Sequence, residues 1–143
     1  MTLCNQFLGY VALQDEAILT YKASDMALAI HSDASYLSKP KACSQAGGHM
    51  FMASNNKIPK NNGAVLDILQ IICTVISSAA EAKLGALFIN AKAAVSIHQK
   101  LKELGHKQPQ TPIQTENSTA LGLLTNKILV RRWLMVLSTV TRF

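Results

Sequence analysis

Acidic residues are scarce in this sequence. Eight aspartates and glutamates stand against 14 lysines and arginines in 143 residues, and none lies beyond Glu116. The net charge is +6 and the isoelectric point is near 9.4, the electrostatic footprint of a domain that meets a polyanion, nucleic acid included. Charge of either sign is also sparse, at 15% of residues against 49% hydrophobic, where a soluble domain usually carries ~25% charged residues. That deficit implies a surface partly covered by something else, as in a piece of a larger protein or one half of an obligate interface.

Other absences exclude whole classes. The three cysteines, Cys4, Cys43 and Cys73, are far apart and form no CxxC or cysteine/histidine cluster, so neither a disulfide framework nor a zinc site is expected, and reducing intracellular conditions fit. The start MTLCNQFLGY lacks the basic residues and apolar run of a signal peptide. The longest apolar segment, residues 64–80, is interrupted by Asp67 and Gln70 and falls short of the ~20 residues a spanning helix needs. An intracellular, cytoplasmic location without a membrane segment is therefore expected. No glycine-rich phosphate loop follows a strand, and Ser35, Ser77 and Ser118 stand in no nucleophile motif. His31, His49, His98 and His106 share no ligand spacing; His31 and His49 read as strand residues beside a site rather than as metal ligands.

What is present suggests one α/β domain. Residues 3–13 suit a short helix and Ala17 to Tyr21 a short extended piece. MALAIHSD alternates Met26, Leu28 and Ile30 with Ala27, Ala29, His31 and Asp33, the period of a strand that Asp33 would end. The chain then turns through SKPKACSQ and returns as GGHMFMAS, where Gly47 and Gly48 suggest a bulge or a close backbone approach. The loop SNNKIPKNNG leads to a third apolar run from about Ala64 to Cys73. Three strands joined by turns predict an antiparallel meander.

The period then becomes helical. Ala80, Leu84, Phe88, Ala91 and Val95 fall on one stripe, with Lys83, Asn90, Lys100 and Glu103 away from it. This helix is expected from about Ser78 to Leu104, stopping at Gly105. The prolines of KQPQTP precede a short strand, PIQTE, and Asn117 or Ser118 can cap a second helix through TALGLL. The order predicts a mixed sheet, antiparallel in its first three strands, with packed helices.

Three of the eight acids occupy unusual places: Asp33 at a strand end, Glu81 in the first helical turn, and Glu116 at the end of PIQTE. Two strand ends and a helix start can converge, and three carboxylates at one point repel unless a divalent cation such as Mg²⁺ neutralises them. Each acid also has an ordinary reading. Ser78 and Glu81 have the form of a capping box, Asp33 in SDAS can form a turn with its own backbone, and Glu116 can favour the positive end of the next helix.

Four blocks, IHSDASYLS, KACSQAGGHMFM, SSAAEAKLGAL and TPIQTENSTALG, in that order, resemble the ribonuclease H domain of copia-type LTR retrotransposon polyproteins, a resemblance that extends from about Phe7 to Arg132. The resemblance implies an α/β, ribonuclease H-like mixed sheet and hydrolysis of the RNA strand of an RNA:DNA hybrid by two Mg²⁺ (or Mn²⁺) ions held by acids. Asp33, Glu81 and Glu116 would then be the catalytic metal ligands, and the ions would activate water and stabilise the leaving oxygen. Lys39 and Lys41 would touch hybrid phosphates, and the reverse transcriptase part of a polyprotein would be a partner. The family has aspartate where Glu116 stands, and its fourth acid has no counterpart in the tail WLMVLSTVTRF. A truncated or frame-shifted copy is the expectation: residues 1–24 a preceding linker, 25–132 the domain with its last strand and helix missing or altered, and 133–143 a divergent tail, with hydrolysis weakened. A non-catalytic nucleic-acid-binding module and an inactive relic are the alternatives.

Overall fold

A computed structural model of the chain describes residues 3–14, 16, 18–56 and 59–116. The elements run α1 (Leu3–Ala12), β1 (Ala27–Lys39), a 3-10 turn (Pro40–Ala42), β2 (Cys43–Ala53), β3 (Ala64–Ile72), α2 (Ala79–Glu103) and β4 (Ile113–Gln114). They form an α/β arrangement with a mixed four-stranded sheet ordered β3-β2-β1-β4. The first three strands are antiparallel neighbours, and β4 lies parallel to β1. The predicted meander is therefore present, while the second helix expected after Asn117 and the tail at 133–143 lie outside the described residues. Among the described residues no helix is long and apolar enough to cross a membrane.

Alternation along β1 and β2 sorts the sheet into two faces. Leu28, Ile30, Met50 and Met52 pack against Ala94 and Leu101 of α2. Complete burial of Leu28, Ile30 and Met50 stabilises the fold by roughly 1.5–3 kcal/mol per side chain. On the opposite face Ala29, Phe51 and Ala53 form a smaller cluster. Helix α1 buries none of its residues.

Helix α2 begins and ends where its caps dictate. Ser78, in extended conformation, accepts a hydrogen bond from the Glu81 amide, and Gly105 past the last turn has φ +88°, a geometry that glycine adopts without a Cβ penalty. The buried stripe differs from the expected one: it comprises Ala82, Ala86, Leu87, Asn90, Ala91, Ala94, His98 and Leu101. Small alanines let the helix axis approach the sheet closely, and this outweighs the larger apolar surface of Leu84, Phe88 and Val95. Asn90 belongs to the buried face because its amide donates to Ser32 Oγ (2.8 Å) and to the Gly47 carbonyl (2.9 Å).

Further differences have local causes. Asp33 does not end β1; it pairs with Gly47 in mid-hairpin, and the strand continues to Lys39. Lys39 is thus the last residue of β1, and Lys41 sits in the 3-10 turn. Of the two possibilities at Gly47 and Gly48, close approach holds: a Cβ at Gly48 would lie 2.7 Å from Asn90 Cγ, whereas the register shifts fall at Ser35/Lys39 and Met50/Phe51. Residues 18–26 hold no regular element; Lys22 is tied instead to the Asn62 side chain through both its amide and its carbonyl. Strand β4 is short because prolines lack a backbone donor. The Gln108 side chain supplies the missing pair beside β1, accepting from the Leu28 amide (3.0 Å) and donating to the Met26 carbonyl (2.7 Å).

Candidate functional site

An open cleft of about 1090 Å³ lies over β1, β2, β3 and β4, and His31, Asp33, His49, Asp67, Thr115 and Glu116 are among its walls. The strand register explains which acids meet there. Ile30 pairs with Ile113 and His31 with Gln114, where the β1–β4 ladder ends; Asp33 and Glu116, each two residues beyond the last pair, both line the cleft. Both carboxylates are exposed.

Asp33 is not a free ligand. Its Oδ1 accepts a hydrogen bond from Lys83 Nζ at 2.6 Å, with the lysine side chain only 20% exposed and the aspartate 69%. This ammonium holds the Asp33 carboxyl below its ordinary value; slight burial opposes the effect, and the Ala34 backbone amide adds to it. Lys83 lies one turn into α2 with its stem against the protein, so the helix delivers a cation to the strand rather than an acid.

Glu81 is placed otherwise. Its Oε2 accepts from the Ser77 amide (2.8 Å) and the Ser77 hydroxyl (2.7 Å), while its own amide donates to Ser78 Oγ (3.1 Å). The bonds from Ser77 lower its carboxyl pKa, and the side chain thus folds back on the residue before the N-cap rather than on the Ser78 amide of a capping box. Glu81 is not among the residues that line the cleft. Of the three acids, the fold brings Asp33 and Glu116 to one cleft and leaves Glu81 at the helix end.

The residues present do not fit the divalent site that the resemblance implies. Among the described residues no three histidine, cysteine or acidic side chains are grouped to hold a metal ion, and the best-placed carboxylate already has an ammonium partner. Lys39 is half-buried and Lys41 exposed at the hairpin end.

One constellation was not singled out in the sequence. His49 Nδ1 pairs with Asp67 Oδ1 at 2.7 Å, and His49 Nε2 with the Asn62 carbonyl at 3.3 Å. His31 stands across the strand pair from His49, its ring edge-on to Phe51 at 5.1 Å, and its Nε2 is buried without a hydrogen-bond partner among the described residues. The available signal was Asp67 within an apolar strand, but its pairing with His49 depends on the β2–β3 register. Compared with known proteins, the chain matches no family model, no curated protein and no solved structure.

Proposed function

We propose that the chain is a ribonuclease H-like domain of retroelement origin that grips an RNA:DNA hybrid, with two-metal hydrolysis of the RNA strand impaired. The observation that carries this reading is that Asp33 and Glu116, each two residues past the last pair of the parallel β1–β4 ladder, line one cleft. The strand order, with β1 central and α2 packed across the sheet, is compatible with that fold. Basic and polar side chains, Lys39 and Lys41 among them, would hold the hybrid through its backbone, with its shape and the 2′-hydroxyl distinguishing RNA from DNA. Mg²⁺ or Mn²⁺ is the cofactor of the ancestral chemistry, and the reverse transcriptase part of a polyprotein is the natural partner.

The second reading, a binding module without catalysis, is favoured by the Lys83–Asp33 ion pair and by the Ser77–Glu81 bonds. Fluorescence anisotropy and cleavage of one labelled hybrid test both. Saturable binding without metal is expected, with a salt dependence that falls by about one in log–log slope for each phosphate-contacting lysine replaced in Lys39→Ala and Lys41→Ala. With Mg²⁺, cleavage that disappears in Asp33→Asn is the signature of a retained hydrolytic site. Slow cleavage supports the enzyme reading, and binding with none supports the module. Absence of saturable binding in the unaltered chain refutes both and leaves a relic.

A further inference from the structure

Cys43 and Cys73 are 30 residues apart along the chain, yet the pairing of β2 with β3 brings them to one end of one strand pair. The last pair of that antiparallel ladder is Ser44 with Ile72, so each cysteine is one residue beyond it, at the same end. Neither strand has turned away there: Cys43 still pairs with Lys39 of β1, and the chain after β3 first bends at Thr74. Ser44 is buried, and Ile72 packs with Ala46 of β2 and Ala86 of α2, which by alternation turns both cysteines to the opposite face. Both are free thiols, Cys43 partly exposed and Cys73 exposed. We infer that Cys43 and Cys73 form a reversible redox site, which closes to a cross-strand disulfide by exchange with a small-molecule disulfide such as oxidised glutathione. This inference goes beyond the proposed function and does not depend on it.

The geometry suits the bond. Residues opposite each other on antiparallel strands have Cα atoms ~4.5–5.5 Å apart, inside the ~4.4–6.8 Å that a disulfide spans. Each sulfur leans back along its own strand, Cys43 Sγ toward the Lys41 carbonyl (3.9 Å) and Cys73 Sγ toward that of Ile71 (3.8 Å). A thiol is a weak donor, so rotation about one side-chain bond frees each sulfur at little cost. In the exchange, one cysteine thiolate attacks a sulfur of the small disulfide and expels one small thiolate; the second cysteine thiolate then attacks the mixed disulfide and expels the other. One S–S bond is broken and one is formed, and the small disulfide is reduced to two thiols that take up the two protons the cysteines gave up. The new bond fastens β3, outermost in the described sheet, whose Asp67 lines the cleft.

The test is oxidation of the full chain in a series of glutathione buffers, quenched with acid and mapped by mass spectrometry of unreduced peptides. In the native chain the Cys43–Cys73 crosslink is expected to exceed every pairing that includes Cys4 by about tenfold or more, because the fold gives this pair the higher effective concentration. Cys4, exposed on α1, should remain a free thiol or a mixed disulfide. In urea the preference should disappear, since Cys4 and Cys43 are only 39 residues apart and the cost of closing a loop rises slowly with its length. Cys43→Ser and Cys73→Ser should each abolish the crosslink, and Cys4→Ser should leave it. If a serine variant does not fold, the comparison of native with urea-unfolded chain decides the matter without any substitution. Failure to crosslink, pairings with Cys4 in similar yield, or the same preference in urea overturns the inference.

Discussion

Gly48 and Asn90 should behave as one unit, and a double-mutant cycle can show it. Asn90 is fully buried on α2, and its amide holds Ser32 Oγ and the Gly47 carbonyl. Asn90→Ala removes two hydrogen bonds, each with a net value of about 1 kcal/mol, and leaves the buried Ser32 hydroxyl and the half-buried Gly47 carbonyl without this partner, at a cost of about 1–3 kcal/mol where unpaired. A loss of roughly 2–4 kcal/mol is expected. Gly48→Ala should cost a similar amount by a different route, because its new Cβ would lie 2.7 Å from Asn90 Cγ and 2.9 Å from Nδ2. To escape this overlap the amide must move, and its two bonds are lost or weakened. Gly48 has no positive φ, so the alanine meets no backbone strain. In the Asn90→Ala background the methyl has room, and reduced freedom of the unfolded chain favours it by about 0.4–1 kcal/mol. The double variant should therefore be no less stable than Asn90→Ala alone, a favourable coupling of roughly 2 kcal/mol or more. Urea unfolding followed by circular dichroism, with the slope unchanged across the four proteins, measures it. Strict additivity, or an Asn90→Ala loss below about 0.5 kcal/mol, refutes the claim that this amide fixes the helix on the sheet.

Two further outcomes concern Asp33 in β1 and the start of α2. Asp33→Asn should destabilise the chain near neutral pH by no more than about 1 kcal/mol, since the Lys83 pair is largely exposed on the aspartate side and screened by solvent. A carboxyl whose folded pKa is depressed contributes its stability above the unfolded value and loses it as pH falls through the folded one, so the difference should shrink as pH falls below the ordinary carboxylate range; a difference undiminished in acid would mean that Asp33 acts through something other than its charge. Ser78→Ala should lower stability by about 1 kcal/mol through loss of the bond to the Glu81 amide. An unchanged urea midpoint would rule out the cap.

Local rules made much of this chain legible before any coordinates. Ser78 and Gly105 bracket α2 because an extended hydroxyl residue and a positive-φ glycine act within a turn of their own position, and alternation in MALAIHSD sets the faces of β1 for the same short-range reason. The buried face of α2 was not legible: two candidate stripes overlap in sequence, and the choice depends on how closely the sheet approaches, which Gly48 and the alanines control together.

The candidate site divides along the same line. Asp33, Glu81 and Glu116 stand out by residue type alone, and whether Glu81 caps its helix or faces the others is undetermined in one dimension, because both uses require the same residue at the same place. The tertiary structure decided that Glu81 bonds Ser77, that Glu116 and Asp33 line one cleft, and that Lys83, 50 residues from Asp33 along the chain, is its partner. Contacts of that separation depend on the crossing of helix and sheet, which no neighbouring residue encodes; a charged residue beside an apolar stripe reads as solvated until the fold supplies its opposite charge.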